Sequence, residues 1–134
     1  MILVDLNVVL DVVQQRQPHY TASAAVLEQI VAGQVTACLP VHAFTTLHYL
    51  VQRYQNNTKA DSFTAWLLKY FRVAETSHQN LIQAQLLGWT DFEDAVVAIA
   101  AEAATCTQIV TRNVQDFKDS PVPAMTPLEY LSNA

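Results

Sequence analysis

Four acids stand where apolar runs end or begin. Asp5 closes the run Ile2-Leu3-Val4. Asp91 and Asp94, with Glu93 between them, open an apolar helix that begins near Thr90. Asp116 follows a third run, Gln108-Ile109-Val110-Thr111. If the runs are parallel strands of one sheet, these distant positions meet at a single edge. Carboxylates gathered there repel one another unless a cation lies among them. The usual cation is a divalent metal ion, and metal-held carboxylates point to phosphodiester chemistry.

Each acid also has a plainer reading. Asp5 serves equally as the N-cap of a following helix. Asp91 and Asp94 are favourable first-turn acids, because the positive end of a helix stabilises carboxylates there. They share one face of that turn, whereas Glu93 is turned away and reads as solvated. Asp116 and Asp119 read as turn acids and Asn113 as an Asx-turn residue. It is the joint occurrence of these acids at strand ends that favours a site. Asp11 reads as a surface or capping acid on the far side of the first helix. His42 and His48 are six apart, poor spacing for two ligands on one helix, and His19 and His78 look like loop or helix-start residues, so no zinc site is expected. With two glycines in the chain there is no glycine-rich phosphate loop, and Ser62 and Ser77 lack a nucleophile-elbow context.

The elements that must position the acids alternate in type. Ile2–Asp5 reads as a strand and Asn7 to Gln14 as a helix, broken at Gln17-Pro18. A helix from Tyr20 to Ala32 stops at Gly33, a glycine C-terminal signal. Val35–Leu39 reads as a strand closed by Pro40, followed by a helix from Val41 to Tyr54. Thr58 is the expected cap of a helix over Lys59–Tyr70, and Phe71–Ala74 the next strand. Ser77 caps Gln79–Leu87, Gly88 ends it, and Thr90 is the expected cap of a helix to Thr105. Cys106–Thr111 is a strand and Asn113–Phe117 a turn or short helix. Thr126-Pro127 reads as cap and first residue of a terminal helix. Strands separated by helices imply an α/β fold with a mostly parallel sheet, whose sites lie beyond the carboxyl ends of the strands.

The 134 residues fit one domain, spanning 1–134. The hydrophobic fraction of 51% is high for a soluble chain and fits a sheet covered on both faces, or an apolar oligomer surface. Two cysteines, Cys38 and Cys106, lie in apolar segments and read as buried free thiols rather than a disulfide. No apolar run approaches the length of a membrane span, and no signal-peptide pattern opens the chain, so a reducing, cytoplasmic setting is expected. A net charge of −5 argues against a general nucleic-acid coat. It is compatible with a nuclease, whose own site carboxylates would be offset by bound metal.

Several segments together resemble the PIN-domain family. Val4-Asp5-Leu6-Asn7-Val8-Val9-Leu10-Asp11 looks like its opening. Thr90-Asp91-Phe92-Glu93-Asp94-Ala95-Val96 resembles its third acidic motif. The stretch from Cys106 to Phe117, with Thr111-Arg112-Asn113 and Asp116, resembles its last, and Pro121 to Leu131 matches its usual ending. The likeness covers nearly the whole chain and is nearest to the bacterial VapC-like branch. It implies a three-layer α/β/α fold with a central, mostly parallel sheet. It also implies a Mg²⁺- or Mn²⁺-dependent ribonuclease, working as a homodimer and paired as a toxin with a small antitoxin.

Carried onto this chain, the resemblance assigns metal-assisted RNA hydrolysis to Asp5, Asp94 and Asp116, with Asp91 as a further metal ligand. Asn7, Thr46, Thr111 and Asn113 become candidates for positioning RNA, water or phosphate, and Arg112 and Arg16 for contacting the RNA backbone. One position departs from the pattern. The glutamate usual on the helix after the second strand is replaced by Thr46, a neutral hydroxyl that binds Mg²⁺ weakly at best. That departure supports an alternative, a catalytically weakened PIN-like domain that binds RNA or a protein partner without cleavage. A phosphoacceptor domain built on Asp5 and Asp11 is a poorer fit, because it lacks a third strand-end aspartate and a suitable lysine.

Overall fold

A computed structural model describes residues 1–133. Five short strands form one wholly parallel sheet: β1 (Ile2–Val4), β2 (Ala37–Pro40), β3 (Arg72–Ala74), β4 (Gln108–Val110) and β5 (Ala124–Met125), in the order β3-β2-β1-β4-β5. The chain builds outward from β1 to β3, then returns to the other side of β1 for β4 and β5. Ligand sites in such sheets lie at this reversal, beyond the strand ends.

The sheet is covered on both faces, one of the two arrangements that fit the apolar composition. Along β1 the side chains alternate with a period of two. Ile2 and Val4 enter one core with Val8, Val26, Leu39, Phe44, Leu47 and Leu67. Leu3 enters the other with Cys38, Val97, Ala98, Ala101, Ile109 and Phe117. Helices α1 (Leu6–Val13), α2 (Tyr20–Val31), α3 (Val41–Tyr54), α4 (Asn57–Tyr70) and α7 (Pro127–Asn133) cover the first face. Helices α5 (His78–Leu86) and α6 (Phe92–Ala103) cover the second. Six buried residues of α6, four of them alanines, let that helix lie close to the sheet.

Local chemistry sets the boundaries. Gly33 and Gly88 take φ of +77° and +68°, the left-handed turns that end α2 and α5. Ser77 and Asn80 form a reciprocal capping box at α5, and Thr126 and Glu129 exchange the same two bonds at α7. Two expected caps are displaced. Asn56, not Thr58, caps α4, accepting from the Lys59 N–H at 2.8 Å. Asp91, not Thr90, caps α6, accepting from the Asp94 N–H at 3.1 Å. In both cases an Asx side chain is available near the start and wins the role. The β4 strand is shorter than expected and β5 was not anticipated, since two residues between prolines carry no alternation to read.

Candidate acidic site at the sheet edge

Asp5 lies directly beyond β1, held there by backbone and side-chain bonds together. Its N–H donates to the Val110 carbonyl at 2.9 Å, continuing the β1–β4 pairing by one residue. Its Oδ1 accepts from the Leu6 N–H at 2.8 Å, so the capping reading is correct and coexists with a place in the site. Its Oδ2 accepts from the Thr111 hydroxyl at 2.8 Å and from Asn7 Nδ2 at 3.4 Å. Asp5 is buried, and burial pushes its carboxyl above the ordinary value, against the pull of Thr111, Leu6 and His42.

Asn7 and Thr111 were expected to position water or phosphate; in the structure they position Asp5. The Thr111 hydroxyl is fully buried. It donates to Asp5, and it accepts from Asn7 Nδ2 at 3.3 Å and from the Asn113 N–H at 3.1 Å. Asn7 Oδ1 accepts from the Arg112 N–H at 3.3 Å. The result is a small network clamping the end of β1 to the end of β4. Asn113 enters it through its backbone, while its side chain is exposed.

Asp94, half-buried in the first turn of α6, is the group that registers the gathering of charge. Its carboxyl is pushed up to about 7, first by burial, then by the negative charges of Asp91, Asp5, Asp116 and Glu93 in that order. Residues from β1, α6 and the 3₁₀ turn at Val114–Phe117 are thus brought within electrostatic reach of one another. Sequence spacing had placed Glu93 away from this group. It is largely exposed, yet its Oε1 lies 3.5 Å from His42 Nε2.

His42 is the site residue that sequence reasoning missed. Spacing to His48 was the wrong test. The useful signal was its position two residues after Pro40, at the carboxyl end of β2 and hence at the same sheet edge as Asp5. His42 Nε2 is buried without a hydrogen-bond partner among the described residues. Thr46 is half-buried one helical turn further along α3, on the same face as His42.

Asp11 and the two arginines fall elsewhere. Asp11, expected as a surface or capping acid, has no exposure at all. Its Oδ2 accepts from the Ser23 hydroxyl at 3.0 Å and lies 2.9 Å from Arg112 Nε, a charge contact without hydrogen-bond alignment. An acid inside an apolar helix face needs such a partner, and here the partner comes from the loop after β4, a contact that no local pattern encodes. Arg112 is therefore committed, through Nε, to an internal ion pair rather than pointed at the acidic site. Arg16 follows the far end of α1, a helix of eight residues and about 12 Å that begins next to Asp5.

The donor chemistry of the acidic group suits a hard divalent cation: carboxylate oxygens, with His42 the one titratable nitrogen acting on Asp5. Among the described residues, however, no three His, Cys, Asp or Glu side chains are already arranged to hold an ion.

Comparison with known proteins now adds to the geometry. A PIN-domain family model matches residues 1–115. The chain belongs to the PIN-domain family. PIN domains are generally nucleases and generally depend on divalent metal. No curated protein gives a significant match. Several solved structures share the fold. A toxin–antitoxin complex from Klebsiella pneumoniae superposes with a TM-score of 0.72 at 19% identity, over 95% of this chain and 98% of that one. VapBC2 from Rickettsia felis, bound to a DNA fragment from its promoter, gives 0.69 at 18% identity, over 94% and 98%. VapBC-1 from nontypeable Haemophilus influenzae gives 0.70 at 15% identity, over 96% and 99%. At these identities the likeness is one of fold. Among the described residues, no helix is long and apolar enough to cross a membrane.

Proposed function

We propose that this PIN domain is a Mg²⁺- or Mn²⁺-dependent endoribonuclease, the toxin of a cytoplasmic toxin–antitoxin pair. The observation that carries the reading is the Asp94 carboxyl, raised to about 7 by burial and by four neighbouring acids, two of which, Asp5 and Asp116, come from other elements. A group of acids that repel one another at a strand edge is poised for a cation, and the family generally uses one. When bound, such an ion polarises a phosphoryl oxygen and lowers the pKa of an attacking water. Asp5, Asp91, Asp94 and Asp116 would hold it.

The chain's own contribution is positioning. Thr111 and Asn7 fix the Asp5 rotamer, and the Asp91 cap fixes the start of α6 and hence Asp94. Asp116 stands on a short turn and is exposed, suited to contact through water.

Two further surfaces support the partners proposed. Adjoining apolar hollows of about 550 and 310 Å³ run beside Val12, Val13, Val51, Phe63 and Trp66. They suit the apolar face of an antitoxin segment. Leu81, Ile82 and Leu86 leave α5 with an exposed apolar stripe, as a homodimer contact would.

The test is cleavage of single-stranded RNA by purified protein with Mn²⁺ or Mg²⁺, in parallel with Asp94→Asn. Metal-dependent cutting lost in the variant supports the reading; equal cutting by both refutes it. A second reading, binding without cleavage, is favoured by Thr46 in place of a glutamate. Metal-dependent retention of intact RNA in a gel-shift assay would select it.

A further inference from the structure

Beside the acidic group is a cavity of about 610 Å³, formed where the loop between α5 and α6 faces the 3₁₀ turn. Trp89, Asp91, Gln115, Asp116, Lys118 and Asp119 contribute to its wall. We propose that this cavity is a base-binding subsite, holding one nucleobase of the RNA next to the scissile phosphate and preferring guanine to uracil. The proposal rests on the nuclease reading for its substrate class, but not for its geometry.

Three features select this occupant. The first is place: Asp91 and Asp116 belong both to this wall and to the acidic group, so an occupant adjoins whatever binds there. The second is Trp89, half-buried and held by Phe117 at a centroid distance of 5.9 Å and an interplanar angle of 85°. That anchored indole offers a nucleobase a rigid stacking surface. The third is hydrogen-bonding polarity. Three carboxylates face one ammonium, so the wall is rich in acceptors and repels a phosphate.

The fitting ligand is therefore flat, uncharged and rich in donors. Guanine presents N1–H and N2–H₂ side by side, which one carboxylate accepts with both oxygens. Uracil presents a single N–H flanked by two carbonyls, which carboxylates repel. Asp91 already uses Oδ1 to cap α6, and Asp116 borders the acidic group. Asp119, exposed and outside that group, is left as the acceptor that reads the base. Gln115, with an amide that both donates and accepts, supplements it.

The test uses the full chain without divalent metal, so that it is independent of catalysis. The protein has two tryptophans, Trp66 and Trp89, and Trp66 lies on α4 against Phe63, Tyr70 and Phe71. Their two indole N–H signals, assigned by Trp66→Phe, are followed by NMR as guanosine or uridine is added. Only the Trp89 signal should move, saturating with guanosine at a concentration at least tenfold lower than with uridine. Asp119→Asn, at an exposed position, should abolish most of that preference without altering the fold. Trp89→Phe, which keeps an aromatic ring but loses the indole signal, should weaken guanosine binding several-fold when titrated by calorimetry. Equal affinities for the two nucleosides, a preference untouched by Asp119→Asn, or no saturable shift at Trp89 would each overturn the subsite. An inactive protein that still binds guanosine would refute the nuclease reading alone; an active one whose Trp89 is silent would refute the subsite alone.

Discussion

Asp94→Asn should stabilise the metal-free protein at alkaline pH. The folded Asp94 carboxyl is raised from 3.8 to about 7, so the folded state holds this proton more tightly than the unfolded chain does. Stability from this group is complete below about 3.8 and lost as pH rises through 7. Taken at full strength, the shift corresponds to about 4 kcal/mol. Asp94 is only half-buried, and water and salt screen its neighbours, which reduces the effect to about 1 kcal/mol. For a domain of this size that is about 3–5 °C in Tm. Asparagine mimics the protonated carboxyl in shape and neutrality. In EDTA at pH 8 the variant should therefore melt about 3–5 °C above the wild type, and the gap should close towards pH 4. Adding Mn²⁺ at pH 8 should raise the wild type more than the variant and narrow or reverse their order. Differential scanning fluorimetry across pH, with and without metal, measures both. A variant less stable than the wild type in EDTA at pH 8, or a gap independent of pH, would refute the claim that burial and gathered negative charge together raise Asp94.

Asp11→Ala should cost about 3 kcal/mol in urea unfolding, because it strands the mostly buried Arg112 without its counter-ion; a loss below about 1 kcal/mol would show that pair to be unimportant. Thr46→Glu should enlarge the Tm rise produced by Mn²⁺ and, without metal, lower Tm by adding another carboxylate on the His42 face of α3; an unchanged metal response would place Thr46 outside the site. Thr105→Gly should raise stability by about 0.5–1 kcal/mol, since Thr105 is a β-branched residue at φ +59° and glycine relieves that strain despite its greater freedom when unfolded. Cys38 and Cys106 are buried free thiols with Sγ atoms 3.4 Å apart, so neither should react with a thiol reagent on the timescale of minutes until denaturant is added.

Sequence carried the architecture further than it carried the side chains' partners. Hydrophobic runs, glycine stops and the Ser77 and Thr126 caps are local signals, and each marks an element end that the fold shows. The acids of the site were legible for a related reason: a charge terminating an apolar run has few places to go, and strand ends are one of them. Asn7, Thr111 and Arg112 were legible only as polar residues near motifs. Their roles depend on which atoms meet across the β1–β4 seam, and the Thr111–Asp5 bond spans 106 residues of chain. Asp11 and His42 show the same limit. Helical spacing identifies neighbours on one helix, whereas Arg112 reaches Asp11 from a loop and Glu93 reaches His42 from another helix.

The central place of β1 also governs when the acidic group comes into being during synthesis. β1 to β3, with α1 to α4, can collapse together once residue 74 has left the ribosome, because β2 pairs with both β1 and β3. Asp5 would then sit at an open edge, with no Thr111 to fix it and neither Asp94 nor Asp116 near it. Only when β4 docks on β1 do the carboxylates converge. A growing chain is therefore denied its acidic centre until residue 116 has emerged, and the synthesis of residues 75–116 is the interval in which a partner could bind the earlier helices first.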